Sequence, residues 1–149
     1  MGLLGDRYEL DTDISFFMNE TATRGVVVSV STAGSGAAMD NGSALCTVKS
    51  NPSGAYPLGF LMNDMFNLDL TRQHLNYYKN EVQQGSKVTI LRKGFVVTDQ
   101  VTGTPTAGSD AYLHSGGSVS STQMSGAVKV GQFLSTKNAD GFAKVSINL

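Results

Sequence analysis

The last eight residues, Phe142 to Leu149, alternate strictly. Ala143, Val145, Ile147 and Leu149 fall on one side of an extended chain, and Phe142, Lys144, Ser146 and Asn148 on the other. A period of two is the mark of a half-buried β-strand. Upstream, residues 128–134 (VKVGQFL) form a second such run, and Lys137-Asn-Ala-Asp-Gly141 between them supplies turn residues, so the pair reads as a hairpin. The same unit recurs along the chain. Residues 25–31 (GVVVSVS) are rich in β-branched side chains, and residues 44–49, 56–62 and 111–114 are further short runs. Turn signals separate them: residues 33–42 ending in Asn41-Gly42, then Asn51-Pro-Ser-Gly54, Thr104-Pro-Thr-Ala-Gly108 and Gly116-Gly117. Lys87 to Leu91 and Phe95 to Thr98 flank Arg92-Lys-Gly94, which predicts another hairpin. Residues 115–125 read as a polar surface loop. Short strands joined at short intervals point to an all-β fold, one β-barrel or β-sandwich domain.

Two stretches depart from this pattern. Residues 1–24 combine Asp6, Glu9, Asp11, Asp13 and Glu20 with Tyr8, Leu10, Ile14, Phe16, Phe17 and Met18, and carry no turn signal between Gly5 and Arg24-Gly25. They predict an extended N-terminal arm or an edge strand, ahead of a β domain over 25–149. In the arm reading Tyr8, Leu10, Ile14, Phe16 and Phe17 are the partner-binding residues, with the two phenylalanines as anchors on a neighbouring subunit. Residues 63–85 are ambiguous: 64–70 alternate like a strand, and 71–83 approach helical spacing, so one short helix is possible there.

Composition narrows the function. The chain has 149 residues, the size of one domain, with 40% hydrophobic residues to fill a core. Only 15% are charged, below the roughly 25% of ordinary globular proteins. With 17 glycines, this suits tight turns and a surface that packs against neighbours. The net charge of −1 and scattered Lys and Arg exclude the basic stripe that nucleic acid requires. The close pair Arg92-Lys93 reads as part of a solvated turn. No run approaches the ~20 apolar residues of a membrane span, and the N-terminus does not read as a signal peptide. A lone cysteine, Cys46, permits no intrachain disulfide and fits synthesis in a reducing cytoplasm. Its apolar setting makes it a buried small hydrophobe rather than a nucleophile.

The residues offer little chemistry. His74 and His114 lie 40 positions apart with no motif around either. There is no Gly-x-Ser-x-Gly elbow, no phosphate loop and no dinucleotide fingerprint. One Cys and two distant His make no structural zinc site. Asp11 with Asp13, or Asn138 with Asp140, lack the further ligands of a calcium loop, and turn chemistry accounts for Asn138 and Asp140. Asp64 and Asp69 read as turn and strand-edge residues. Tyr77-Tyr78-Lys79 near Arg72 is a weak match to a base-stacking platform and fits an interface or core rim as well. The sequence therefore predicts no enzyme, cofactor or metal.

The motifs Pro105-Thr-Ala-Gly108, Ala111-Tyr-Leu113, the Gly/Ser loop after it, Lys129-Val-Gly-Gln-Phe-Leu134 and Asp140-Gly-Phe-Ala-Lys-Val145 resemble small β-barrel head proteins of tailed bacteriophages, the capsid decoration or cement proteins. Gly25-Val-Val-Val28, Leu68-Asp-Leu-Thr-Arg-Gln-His74 and Val88-Thr-Ile-Leu-Arg-Lys-Gly94 add to the likeness, which spans residues 25–149. It implies a virion structural protein on the capsid exterior, made in the host cytoplasm. Its partners would be the major capsid protein and its own copies in a homotrimer, with no nucleic acid or membrane partner. Another virion part, such as a tail tube, baseplate or fibre protein, shares the composition. A trimeric nucleotide hydrolase of the dUTPase type fits the length but needs a Gly-rich C-terminal arm, which is not found after Leu149. A carbohydrate-binding module would call for aromatic platforms, and the chain has no Trp.

Overall fold

The computed structural model describes residues 2–31, 45–62 and 81–149. Its strands are β1 (Tyr8–Asp13), β2 (Phe17–Met18), β3 (Ala22–Thr23), β4 (Val27–Val30), β5 (Leu45–Thr47), β6 (Pro57–Leu61), β7 (Glu81–Val82), β8 (Ile90–Thr98), β9 (Val101–Thr102), β10 (Asp110–Leu113), β11 (Val119–Ser120), β12 (Lys129–Phe133) and β13 (Ala143–Asn148). Eleven form one sheet in the order β2-β5-β4-β6-β8-β13-β12-β10-β11-β9, with β1 joined to β8, and β3 pairs β7 separately. The all-β expectation holds, and so does the C-terminal hairpin. Gly131, Gln132 and Phe133 pair with Ile147, Ser146 and Val145, and the buried residues of β13 are Ala143, Val145 and Ile147, as the period of two requires.

β8 is the strand on which the rest is hung. Leu91 is paired to both Thr12 and Phe60, while Phe95 is paired to both Tyr8 and Ser146. A strand has two edges, so β1 runs along one. The other is divided, with β6 at Ile90–Leu91 and β13 at Lys93–Thr98. Two groups of strands thus part from a single edge, the way strands turn corners between packed sheets. Two cores follow. The larger holds Leu3, Val27, Phe60, Leu91, Val96, Leu113, Phe133, Val145 and Ile147 among others. The smaller holds Met18, Val26, Val28, Cys46, Leu58, Leu61, Val82, Val88 and Ile90. β4 and β6 lie between them and are buried on both faces. Strands in that position read as unbroken apolar runs, which explains GVVV at 25–28 and LGFLM at 58–62.

Three local expectations need correction. Arg92-Lys-Gly94 is not a turn, because residues 90–98 form one continuous strand. Gly94 has φ +138°, and a Cβ there would stand 1.9 Å from the Tyr8 carbonyl oxygen. The glycine marks a close approach of two backbones rather than a reversal. Arg92 is consequently a strand residue, left without a partner at a register shift against β1. Residues 115–125 are not simply a loop, since Val119 and Ser120 are buried in β11, parallel to β9. Within 71–83, the described residues Glu81 and Val82 are strand, paired with Thr23 and Ala22. The other expectations for 63–80, and the loop at 33–42, lie outside the described residues.

Gly59 serves β6 in the same way that Gly94 serves β8. Its φ is +154°, and a Cβ would come within 2.0 Å of the Leu91 carbonyl oxygen. The register slips beside it, between Val28 and Ser29. Leu58 therefore enters the smaller core while Phe60 enters the larger.

Two variants test this construction. Gly94→Ala forces a side chain against β1 in a conformation L-residues avoid, so it should lose about 1–3 kcal/mol in urea unfolding. Amide exchange along β1 should rise more than along β13; unchanged protection of β1 would show that the close approach is not what holds it. Ser29 is fully buried, and its hydroxyl has no hydrogen-bond partner among the described residues. Ser29→Ala removes an uncompensated polar group and should leave stability unchanged or raise it by about 1 kcal/mol.

Candidate interaction surface

The N-terminal residues run along β8 as a strap. Leu3 bridges to Thr98 and is buried in the larger core. Met18, 15 positions on, is buried in the smaller one. Between these anchors the strap is held mainly by backbone pairing. Every residue of β1 up to Thr12 is exposed, and Asp13 is half-buried. β1 pairs only with β8 among the described strands, which leaves its outer edge open. A strand open on both faces and one edge gains little from burial.

The strap's side chains are part apolar and part acidic. Tyr8, Leu10 and Ile14 are 54%, 65% and 60% exposed. Leu10 is the unpartnered residue of a bulge, between Glu9 opposite Gly94 and Asp11 opposite Lys93. Tyr8 stacks on Phe95 at 6.0 Å between ring centroids. On that same Phe95 ring Lys144 sets its ammonium, 4.0 Å from the centroid, and Lys144 also reaches Asp6 at 3.6 Å. Arg7 pairs with Glu9 at 3.0 Å. Ser15 donates its backbone N–H to Asp13 Oδ1 at 2.8 Å, a side-chain turn that ends β1. Such exposed pairs contribute little to stability.

The five residues singled out from sequence thus divide. Tyr8, Leu10 and Ile14 face solvent, but Phe16 packs against the smaller core. Phe17 pairs with Leu45 and lies beneath Lys87, whose Nζ is 5.9 Å from the ring centroid. The two phenylalanines hold the strap down, and the three residues before them are presented. Sequence reasoning missed the anchors Leu3 and Met18, and it missed Phe95 and Lys144, which brace Tyr8. For Phe95 and Lys144 a signal existed: both lie on the outward side of alternating strands.

Among the described residues the remaining candidates carry no assembled chemistry. His114 is half-buried, with Ser115 Oγ 3.2 Å from its Nδ1. Asn138 Oδ1 accepts the Phe142 N–H at 2.9 Å, as turn chemistry requires. Among the described residues no three of His, Cys, Asp and Glu gather to hold a metal. His74, Tyr77, Tyr78, Asp64 and Asp69 lie outside the described residues. Cys46 is fully buried, 3.4 Å from the Met18 sulfur, and burial pushes its thiol up to about 12 from the ordinary 9.0.

Residues 7–148 match the model of a protein family described as structural cement protein (E217 gp24/Pam3 gp6). The chain belongs to the phage structural cement proteins. A cement protein is a structural part of the virion that stabilises the capsid and binds capsid protein. The match begins at Arg7, so it takes in β1 as well as the residues from 25 onward that carried the resemblance. No curated protein matches the chain. Among the described residues no helix of this cement protein is long and apolar enough to cross a membrane.

The sealed thiol gives a pH test. The folded state keeps Cys46 protonated where the unfolded chain ionises, so its contribution is whole below pH 9 and is lost as pH rises toward 12. The stability of wild type relative to Cys46→Ala should fall by about 1.4 kcal/mol per pH unit in that window. A flat difference across it, or rapid thiol labelling of the folded protein at pH 8, would contradict the burial of Cys46.

Proposed function

We propose that this cement protein binds the outer surface of the capsid, reinforces the joints between major capsid subunits, and acts there as a homotrimer made in the host cytoplasm. We further propose that it does so without catalysis and that the strap is a partner-binding surface. Tyr8, Leu10 and Ile14 are its contact residues, and Phe16 and Phe17 set their position.

The observation that carries this reading is the exposure of β1. Its apolar side chains are open to solvent, although anchors at Leu3 and Met18 hold it in place. Apolar groups on an ordered, unpaired strand edge are what a partner covers, by burial and by strand addition. The inclusion of β1 in the family match supports it. The trimer and the exterior location follow from the likeness to capsid decoration proteins. Many copies with modest contacts reinforce a shell collectively.

Deleting the strap is a poor test, because it removes Leu3 and Met18 from the cores. Substituting the exposed residues avoids this. Tyr8→Ser/Leu10→Ser/Ile14→Ser should remain folded, bind undecorated heads roughly tenfold or more weakly, and raise their melting temperature less than wild type does. Equal binding by the triple variant would remove the strap from the interface. Wild-type protein that leaves the melting of the heads unchanged would sink the proposal as a whole.

A further inference from the structure

A hollow of about 370 Å³ opens where the two groups of strands part at β8. Its lining is Gly54, Ala55, Tyr56, Pro57, Val128 and Leu149, with Arg92 as the one charged side chain. Tyr56 is 74% exposed and Val128 40%, so the apolar lining continues onto the surface. Arg92 has no ion-pair partner among the described residues. β1 runs along the other edge of β8 and contributes nothing to the lining.

The strap carries the complementary shape and charge. Leu10 projects from a bulge, flanked by Asp11 and by Glu9, whose exposed pair with Arg7 is weak enough to exchange. Pairing two straps edge to edge would set Glu9, Asp11 and Asp13 of one copy against the same carboxylates of the other, which is unfavourable. A concave apolar site with a single guanidinium suits a protruding Leu between two carboxylates.

We propose that Leu10 of one copy seats in the hollow of a second copy, with Glu9 and Asp11 on either side of Arg92. The inference rests on the self-associating reading above and names its contact. In the homotrimer proposed above, the contact runs head-to-tail, strap into hollow, around a closed three-membered ring.

Single variants Leu10→Cys and Val128→Cys test it, because Cys46 is buried and stays out of the reaction. Mixed and oxidised with diamide, free or on decorated heads, they should give a disulfide-linked dimer that neither variant yields alone. Light scattering of the wild type runs alongside. Oligomer without this cross-link overturns the contact and leaves self-association standing. Protein that is monomeric both free and on heads overturns both. Cross-linking of Val128→Cys to capsid protein instead would give the hollow to the shell. Charge exchange supplies an independent arm. Arg92→Glu and Glu9→Arg/Asp11→Arg should each weaken association at least tenfold, and combining all three substitutions in one chain should restore it; failure of the combined variant to recover would also overturn the contact.

Discussion

Because a strand has only two edges, β8 can serve three partners only by dividing one of them. β6 takes the beginning, β13 takes the remainder, and the strap runs along the far side. This division sends two groups of strands apart, and the pleat of β8 puts Ile90 in one core and Leu91, the next residue, in the other. It also opens the hollow at Arg92 and gives the strap its bed. Gly94 and Gly59 are two places where the arrangement demands close backbones, and a side chain at either would meet a carbonyl oxygen at 1.9 or 2.0 Å, far inside van der Waals contact. The fold is thus organised by backbone pairing at one long strand, with the apolar cores filling the spaces on its two faces.

How legible this was depended on whether the signal was local. The alternation in 142–149 was enough to orient β13, because one face is core and the other solvent. The apolar runs at 25–28 and 58–62 announced strands but not their double burial. Arg92-Lys-Gly94 misled because Gly after two charged residues is ordinary turn chemistry. Its true cause lies in Tyr8, more than eighty residues earlier, and no local pattern carries that. Val119 and Ser120 were lost among serines and glycines, since a two-residue strand is too short to show a period.

Which side chains the strap exposes was half legible for the same reason. Tyr8, Leu10 and Ile14 stood out as apolar residues in an acidic stretch. Phe16 and Phe17 looked like the strongest anchors by size, but size alone does not tell whether a ring faces a partner or the chain's own core. The hollow was beyond sequence reasoning. Its lining comes from four separate parts of the chain, and only the split at β8 brings them together.

The strap's two anchors bear on how this protein would hold a neighbour. A flexible tail must be ordered as it docks, and that lost freedom is subtracted from its affinity. Here the exposed residues are already extended, because Leu3 and Met18 are fixed by the folding of the domain itself. Pre-ordering of this kind favours slow release over fast capture. For a protein whose task is to stay put on a shell, long residence matters more than speed of arrival.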